Sequence, residues 1–317
     1  MGKVLVTGGA GVIGSHMTRR LLEDGEEVIV LDNLSTGRRN YLPNHGQLSF
    51  VVGDIRDPFS INQIFQHHTD IDQIVHLAAQ SNISVSLANP AEDAEINILG
   101  TIHLLEEARK HGVKVFVYAS SAAIYGRQDT LPVSEGAWKE PSSPYGVSKL
   151  ASEHYVESIG KLYGMNTGCF RFSNVYGPRQ SAAPESGVIS IFIHKLVNRE
   201  TPIVFGDGEQ TRDFIYVGDL VDGVSQFLDQ AKEAVHPLHQ TYNVSTDTET
   251  SINDLLSVID EVLGTASVPE YRKARAGDIP FSRLKNEKLS SAISWTPSTP
   301  LTDGIRETIR YHETKNA

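Results

Sequence analysis

The chain lacks the residues that mark several classes of protein. Its 317 residues include one cysteine, Cys169, so no intrachain disulfide can form. Because Cys169 lies in an apolar run with no catalytic motif around it, we expect a buried and inert thiol. No apolar stretch approaches the ~20 residues that a membrane helix needs. No basic tract accompanies the net charge of −11. We therefore expect neither a membrane span nor binding to nucleic acid.

Two further absences bear on metals and on location. The pairs His67–His68 and His236–His239 have no Cys or acidic residues at the spacing of a zinc site, so no metal site is predicted. The sequence opens on a strand pattern without the apolar core of a signal peptide, and we expect a cytoplasmic protein. Apolar residues make up 39% and charged residues 21%, which is ordinary for a soluble globular protein.

A glycine-rich stretch, Lys3–Gly14 (KVLVTGGAGVIG), dominates what is present. The apolar run Val4–Val6 predicts a buried strand, and a helical pattern begins at Val12. Gly8 and Gly11 lie between the predicted strand and helix, and Gly14 lies in the first turn of the helix. A strand, a glycine turn and a helix N-terminus together present backbone N–H groups to an anion such as a pyrophosphate.

An acidic residue follows at the distance expected of a dinucleotide site. Glu27–Leu31 predicts a second strand, and Asp32 ends it 18 residues after Gly14, near the roughly 20 residues expected for an acid that binds an adenosine ribose. Arg38 and Arg39 could meet the 2′-phosphate of NADP, but Asp32 would repel that phosphate. The sequence therefore favours NAD.

Strand and helix patterns alternate through the first half of the chain. Further strands are predicted at Leu48–Val52, Gln73–Leu77, Lys114–Ala119 and Asn166–Phe172, and helices at Pro58–His67, Pro90–His111 and Ser142–Gly164. This alternation is typical of a parallel sheet with helices on both faces, whose ligands bind beyond the carboxyl ends of the strands. We predict an α/β, Rossmann-like doubly wound sheet.

In the second half of the chain, the sequence pattern predicts shorter elements, with strands and helices in less regular alternation. They are a helix at Val188–Asn198, strands at Ile203–Phe205, Asp213–Val217 and Thr241–Val244, and helices from Asp219, at Ile252–Leu263 and from Leu301. We therefore expect an NAD-binding domain over residues 1–175, with returns to the sheet near 219–244. A smaller α/β portion over residues 176–317 is expected to hold the substrate.

Three residues are candidates for catalysis: Ser121, Tyr145 and Lys149. Tyr145 and Lys149 are four residues apart on one predicted helix and share a face, while Ser121 follows a strand. A phenol with its unperturbed pKa near 10 is a poor base at neutral pH. A nearby ammonium and an oxidised nicotinamide would lower that pKa. The phenolate could then take a proton from a substrate hydroxyl that Ser121 holds in line.

Several motifs resemble the extended short-chain dehydrogenase/reductases, and among them the nucleotide-sugar epimerases of the UDP-glucose (UDP-galactose) 4-epimerase type. The motifs are Thr7–His16 (TGGAGVIGSH), Leu31–Arg39 (LDNLSTGRR), Gly53–Asp57 (GDIRD), His76–Gln80 (HLAAQ), Ala119–Gly126 (ASSAAIYG), Pro144–Lys149 (PYGVSK), Phe172–Gln180 (FSNVYGPRQ), Gly206–Asp219 (GDGEQTRDFIYVGD) and Arg275–Asp278 (RAGD). The resemblance covers nearly the whole chain. It implies inversion at C4 of a UDP-sugar through a transient 4-keto intermediate, with tightly held NAD.

Departures from related families narrow this interpretation. Dehydratases of this superfamily carry an Asp-Glu pair, and decarboxylases a glutamate, where this chain has Ala122-Ala123. Without a carboxyl group there, elimination lacks its proton-transfer group. ADP-heptose 6-epimerases share the alanine loop but lack an RAGD-type segment. A UDP-glucuronate 4-epimerase, with Ser84, Ser86 and Arg179 as candidates for the carboxylate, a reductase and a non-catalytic dinucleotide sensor remain alternatives.

The resemblance also assigns roles to individual positions. It implies that the cofactor is bound by Gly8, Gly11, Val12, Ile13, Gly14, Asp32, Asn33, Leu34, Ser35, Thr36, Gly37, Asp54, Ile55, Leu77, Ala78, Ala79, Gln80, Asn97, Tyr145 and Lys149. It implies that the substrate is bound by Ser121, Tyr145, Asn174, Val188, Ile189, Val204, Arg212, Arg275, Asp278 and Ser282. Simpler interpretations are an Arg212–Asp213 surface ion pair, an Arg275–Asp278 salt bridge and a turn capped by Asp54.

Two finer expectations follow from the resemblance. By resemblance, Ser282 occupies the position, four residues beyond Asp278, that helps decide whether a bulky N-acetyl group fits, and serine is small. We therefore expect UDP-N-acetylhexosamines to be accepted as well as UDP-hexoses. The family also implies a homodimer formed by the predicted helices Pro90–His111 and Tyr145–Gly164.

Overall fold

The computed structural model describes residues 2–181, 187–234, 237–274 and 278–316. The strands are β1 (Lys3–Thr7), β2 (Glu27–Asp32), β3 (Leu48–Val52), β4 (Ile71–His76), β5 (Val115–Ser121), β6 (Asn166–Phe172), β7 (Asn174–Tyr176), β8 (Ile203–Phe205), β9 (Thr211–Arg212), β10 (Phe214–Tyr216), β11 (His239–Val244), β12 (Thr250–Ser251) and β13 (Glu270–Arg272). The helices are α1 (Val12–Glu23), α2 (Pro58–His67), α3 (Ile83–Ala88), α4 (Pro90–Ala94), α5 (Gly100–Lys110), α6 (Pro144–Tyr163), α7 (Val188–Val197), α8 (Val217–Glu233), α9 (Ile252–Leu263), α10 (Glu287–Ile293) and α11 (Leu301–Asn316).

Seven of these strands form one sheet in the order β3-β2-β1-β4-β5-β6-β11, and all neighbouring strands are parallel. The predicted Rossmann-like doubly wound fold is confirmed. The strand order reverses between β1 and β4, so their carboxyl ends border the crevice where such sheets bind ligands. The last strand of the sheet, β11, comes from the second half of the chain.

Both faces of the sheet are buried, which explains the continuous apolar strands. Along β1, Val4 and Val6 join one core cluster and Leu5 joins the other. The first cluster contains apolar side chains of α1 and α8, and the second contains those of α2, α5 and α6. A third cluster gathers side chains of α7, α9 and α11 in the second half of the chain.

Most predicted helices occur close to their predicted bounds. Helix α2 begins at Pro58, as predicted, and Asp57 caps it, because its carboxylate accepts hydrogen bonds from the N–H groups of Phe59 and Ser60. The predicted helix Pro90–His111 is not regular, because a π-helical turn at Glu95–Leu99 separates α4 from α5. Helix α3 was not predicted.

Within the described part of the chain, no helix combines the length and the apolar composition that would let it span a bilayer.

Candidate active site

The glycine turn lies between β1 and α1, at the reversal of strand order. Gly8 has a φ of +68°, and a Cβ there would lie 2.7 Å from the Ala78 nitrogen. A Cβ on Gly14 would lie 2.1 Å from the Gly8 carbonyl oxygen, so neither position accepts a side chain. A Cβ on Gly11 would meet only that same oxygen within 4 Å. Its other side is therefore open to a ligand.

The start of α1 is suited to an anion. Gly11 provides no capping side chain, and the first turn, which contains Val12 and Ile13, has no acidic residue. The free N–H groups of that turn and the positive end of the helix dipole therefore favour a phosphate group.

Asp32 ends β2 beside this turn. Its buried carboxylate accepts hydrogen bonds from the backbone N–H groups of Ala10 at 2.9 Å and Leu34 at 2.8 Å. A Cβ on Gly37 would lie 2.8 Å from Asp32 Oδ1. The carboxylate is thus fixed near the glycine turn, and each oxygen keeps a lone pair for a ribose hydroxyl.

The neighbouring loop is tied to a second acid. Asn33 Nδ2 donates to Asp54 Oδ2 at 2.9 Å, and Asn33 Oδ1 accepts from the Ser35 N–H. The Arg56 guanidinium and backbone N–H also donate to Asp54, and these bonds lower the pKa of its carboxyl to about 2 despite partial burial. Asp54 therefore caps a turn here. This role is compatible with the Asp54 side chain also lying beside a bound adenine. Of its predicted neighbours, Thr36 follows Ser35 in the same loop and Ile55 is buried.

The loop after β4 is held by hydrogen bonds to Thr7 and Asn97. The N–H groups of Leu77 and Ala78 donate to the Thr7 carbonyl and hydroxyl oxygens. Beyond Ala79, the N–H of Gln80 donates to Asn97 Oδ1 at 2.9 Å, and Asn97 Nδ2 donates back to the Gln80 carbonyl at 3.0 Å. This loop borders the carboxyl ends of β1 and β4.

Ser121, Tyr145 and Lys149 are brought together at the carboxyl end of β5. Lys149 is buried, and its Nζ donates to the Ala119 carbonyl at 2.8 Å. The same Nζ lies 4.9 Å from the ring centroid of Tyr118 and 5.9 Å from that of Tyr145. The Ser121 side chain interacts with the Tyr145 phenol and opposes the rise in its pKa that burial causes. The arrangement joins a phenol, an ammonium and an alcohol in one place.

Burial controls the ionisation of both titratable groups. It lowers the pKa of Lys149 to about 8, against the charges of Asp93 and Glu153. It raises the pKa of Tyr145, and the Asp93 charge adds to this. Burial and the Asp93 charge therefore hold the pKa of the Tyr145 phenol above its ordinary value, and the lowering expected from an ammonium together with an oxidised nicotinamide stays a prediction. A positively charged nicotinamide is the remaining group that could lower it.

A buried histidine, His76, was not predicted to belong to the site. His76 Nδ1 is 2.6 Å from Thr7 Oγ1, and His76 Nε2 is 3.0 Å from Thr101 Oγ1. Thr101 Oγ1 donates its proton to the Asn97 carbonyl, so it accepts from His76. Burial lowers the pKa of His76 to about 3, so the ring is neutral. This network connects Thr7, next to the glycine turn, with Asn97 in the π-helical turn. The feature of the sequence that could have indicated it is a histidine within an apolar strand.

The substrate-side residues lie in the second half of the chain, apart from these. Arg212 pairs with Asp278 at 2.5 Å and not with Asp213, whose buried carboxylate accepts from Thr246 and Leu284. A cavity of about 250 Å³ adjoins Asp278 and is lined by Phe205, Gly206, Asp207, Glu209, Gln210, Ala274, Ile279, Pro280 and Phe281. The simpler interpretation of an Arg212–Asp213 ion pair is therefore wrong, and Arg275 lies outside the described residues.

Other predicted substrate residues have mixed positions. Asn174 begins β7 and is exposed. Ile189 and Val204 are each 1% exposed within the third core cluster, against which Val188 packs. The side chains of Ile189 and Val204 thus face the core, and only their backbone could border a base.

The three residues that were candidates to bind a uronate carboxylate form no hydrogen bonds with one another in the described part of the structure. Ser86 is buried and donates to the Ile83 carbonyl, and Ser84 is exposed. Arg179 is buried against α1, where its Nη1 donates to Ser15 Oγ at 2.7 Å. In the described ranges, no group of three or more His, Cys, Asp or Glu side chains is arranged to hold a metal ion.

Comparison with known proteins identifies the family. The family described as "NAD dependent epimerase/dehydratase family" matches residues 4–245. The chain belongs to this family. The predicted NAD cofactor and the resemblance to epimerases of the extended short-chain dehydrogenase/reductase type are confirmed.

Relatives with full-length similarity include UDP-sugar 4-epimerases. The putative UDP-glucose 4-epimerase of Methanocaldococcus jannaschii is 41% identical over 99% of both chains. A UDP-glucose 4-epimerase of Thermotoga maritima, solved with UDP-glucose, is 36% identical with a TM-score of 0.93, covering 99% of this chain and 100% of that one. A UDP-N-acetylglucosamine 4-epimerase of Methanobrevibacter ruminantium, solved with UDP-N-acetylmuramic acid, is 32% identical with a TM-score of 0.92 over 99% of both.

Proposed function

We propose that this family member is an NAD-dependent 4-epimerase that inverts C4 of a UDP-hexose or UDP-N-acetylhexosamine through a transient 4-keto sugar. The observation that carries this proposal is the meeting of Tyr145, Lys149 and Ser121 at the carboxyl end of β5, on the same edge of the sheet as the glycine turn after β1. The full-length similarity to UDP-sugar 4-epimerases supports the choice of substrate and of carbon.

The chain's own groups supply acid–base chemistry and binding. NAD held at the glycine turn and Asp32 would supply reversible hydride transfer at C4 of the sugar, so the reaction would have no net redox change. Tyr145 takes the proton of the 4-hydroxyl group and later returns it. Ser121 holds that hydroxyl group by a hydrogen bond. Lys149 favours the ionised phenol by its charge.

The cofactor would lie along the glycine turn and Asp32. Open space at Gly11 and uncapped N–H groups at α1 fit a pyrophosphate. The Asp32 carboxylate fits the adenosine ribose. The other residues for which the resemblance implies contact with NAD would bind the rest of the cofactor.

The nucleotide sugar would lie between the sheet and the second half of the chain. Arg212 and Asn174 would bind the diphosphate, with Arg275 beside it, because a guanidinium binds phosphate in a bidentate manner. Asp278 would bind the nucleotide ribose at the 250 Å³ cavity. For this, the Arg212–Asp278 ion pair must either separate, or each of its two side chains must bind the ligand as well as its partner. We divide the chain accordingly into 1–175 for NAD and 176–317 for the sugar nucleotide.

The family also contains dehydratases, which the alanine loop disfavours. In this chain Ala122–Ile124 forms a short 3₁₀ turn directly after Ser121, with alanines in place of the dehydratase carboxyl groups. Epimerisation needs no such group, since Tyr145 serves as both base and acid.

A product assay tests the proposed function. Purified protein is incubated with UDP-glucose, UDP-galactose and UDP-glucuronate, without added cofactor, and the configuration at C4 is determined by NMR. Interconversion of UDP-glucose and UDP-galactose is the expected result. A reductase would instead consume NADPH in one direction, and a sensor would show no conversion.

The size of residue 282 predicts the sugar range. Ser282 is partly exposed beside the cavity, and its N–H contacts Thr211 Oγ1 at 3.4 Å. We expect turnover of UDP-N-acetylglucosamine as well as UDP-glucose. Ser282→Tyr should reduce the first by about tenfold or more, since a bulky side chain in a pocket excludes the larger sugar by ~1–3 kcal/mol, and leave the second as an internal control. No turnover of UDP-N-acetylglucosamine by the unaltered protein would contradict this.

We further propose a cytoplasmic homodimer. Exposed apolar side chains lie on the predicted dimer helices, with Leu99 in the π-helical turn and Val147 on α6. Their burial between two copies would form a four-helix interface. Light scattering should give the mass of two chains, and Val147→Glu should give that of one. A monomeric unaltered protein would contradict the proposal.

A further inference from the structure

Asp93 in α4 is a buried carboxylate that the proposed reaction does not use. Its side chain is 1% exposed, and Oδ1 accepts hydrogen bonds from Gln80 Nε2 at 2.8 Å and from Asn97 Nδ2 at 3.2 Å. Oδ2 is buried and has no hydrogen-bond partner among the described residues. Burying a carboxylate without full compensation costs stability. A carboxylate kept at such a site therefore needs an explanation.

The hydrogen bonds of Asp93 lead to the catalytic helix. Both of its donors, Gln80 and Asn97, also bind each other through backbone and side chain. Asn97 Nδ2 lies 3.0 Å from Ser148 Oγ, which donates to the Tyr145 carbonyl at 3.0 Å. Asp93 is thus connected to α6 within one turn of Tyr145, and to the loop that borders the cofactor crevice.

The charges around Lys149 single out Asp93. Two carboxylates favour its charged form, Asp93 from α4 and Glu153 from α6. Glu153 is already paired with Arg171 on β6. From the sheet, β4 presents the neutral His76, and β5 presents the ring of Tyr118. Within the described residues, Asp93 has no ion-pair partner of its own. Its charge therefore remains to balance the buried ammonium.

We propose that Asp93 is a positioning residue for epimerisation, which fixes the amides of Gln80 and Asn97 and balances the charge of Lys149. This inference rests on the proposed function. The carboxylate also opposes ionisation of Tyr145, since it raises the pKa of that phenol while it raises that of Lys149. Asp93 therefore moves the pKa values of both groups in the same direction, towards higher pH.

Asp93→Asn isolates the charge. Because Oδ2 has no partner, the amide can keep Oδ1 on both donors and place its NH₂ group where Oδ2 lay. Removal of the negative charge lowers the pKa of Tyr145 and of Lys149 together. We expect both limbs of the profile of kcat/KM against pH to move to lower pH, by about one unit. A purely structural role would lower the profile without moving it.

Two variants serve as controls. Glu95→Gln removes an exposed carboxylate two residues along the chain and should leave both limbs in place. Asp93→Glu keeps the charge and should restore the limbs of the unaltered protein. Asp93→Asn with unshifted limbs would overturn the proposal, whatever its rate.

A titration without turnover separates this inference from the proposed function. The phenolate of Tyr145 is followed by ultraviolet absorbance, as the difference between each protein and its Tyr145→Phe counterpart. Asp93→Asn should form that phenolate at lower pH than the unaltered protein. Equal midpoints would overturn the role of Asp93. Absence of C4 inversion in the unaltered protein would overturn the proposed function alone.

Discussion

Replacing Tyr145 with phenylalanine is expected to lower epimerisation by about 10²–10⁴-fold, the contribution of a positioned acid–base group. The substitution removes one oxygen and leaves the ring, which packs 5.9 Å from Lys149 Nζ. The glycine turn and Asp32 are untouched, so bound NAD should remain. The measurement compares kcat for UDP-glucose with the NAD content of the purified variant.

Tyr155→Phe is the matched control, because Tyr155 lies on the same helix with 44% of its surface exposed. It should keep full activity. Tyr145→Phe that retained turnover would show that another group moves the proton. Retained NAD with lost turnover would also exclude a dinucleotide sensor, whose binding function does not need the phenol hydroxyl.

The NAD side of the site was predictable because its signals are local. Gly8, Gly14 and Asp32 are adjacent in sequence to the strands and helix that position them, so backbone geometry alone specifies them. The pair Tyr145 and Lys149 was predictable for the same reason, since helical spacing places them on one face.

The parts that were missed depend on contacts between distant segments. The π-helical turn at Glu95–Leu99 contains Asn97, whose side chain binds Gln80 and Ser148. Neither contact leaves a pattern in the helix itself. Arg212 was predicted to bind a diphosphate, with an ion pair to its sequence neighbour Asp213 as the simpler interpretation, but it pairs with Asp278, 66 residues away. Burial explains this, because Asp213 is fully enclosed and bonded to Thr246 and Leu284.

The largest expected effect on stability comes from another distant contact, the pair of Arg171 on β6 and Glu153 on α6. Arg171 Nε and Nη2 donate to the two Glu153 oxygens at 2.9 and 2.7 Å, and both side chains are nearly buried. Arg171→Met would leave the Glu153 carboxylate buried without its partner. We expect a loss of about 3–5 kcal/mol in the free energy of unfolding.

The double variant Arg171→Met/Glu153→Leu tests the cause. It removes the unpaired charge as well as the ion pair, and buried pairs replaced by apolar side chains of similar size are often neutral. Arg171 Nη1 also donates to Tyr125 Oη and to the Glu135 carbonyl, so the double variant still loses these two bonds, at about 1 kcal/mol each. It should therefore be more stable than Arg171→Met alone.

Urea unfolding followed by circular dichroism measures these differences, with Asp303→Asn as the control. Asp303 pairs with Arg306 on the exposed face of α11, where solvent screens the charges, and its loss should change stability little. If Arg171→Met and the double variant unfolded at the same urea concentration, the cost would lie in the bonds to Tyr125 and Glu135. Because Tyr125 lies four residues after Ser121, that outcome would make Arg171 a support for the catalytic loop in place of a charge partner for α6.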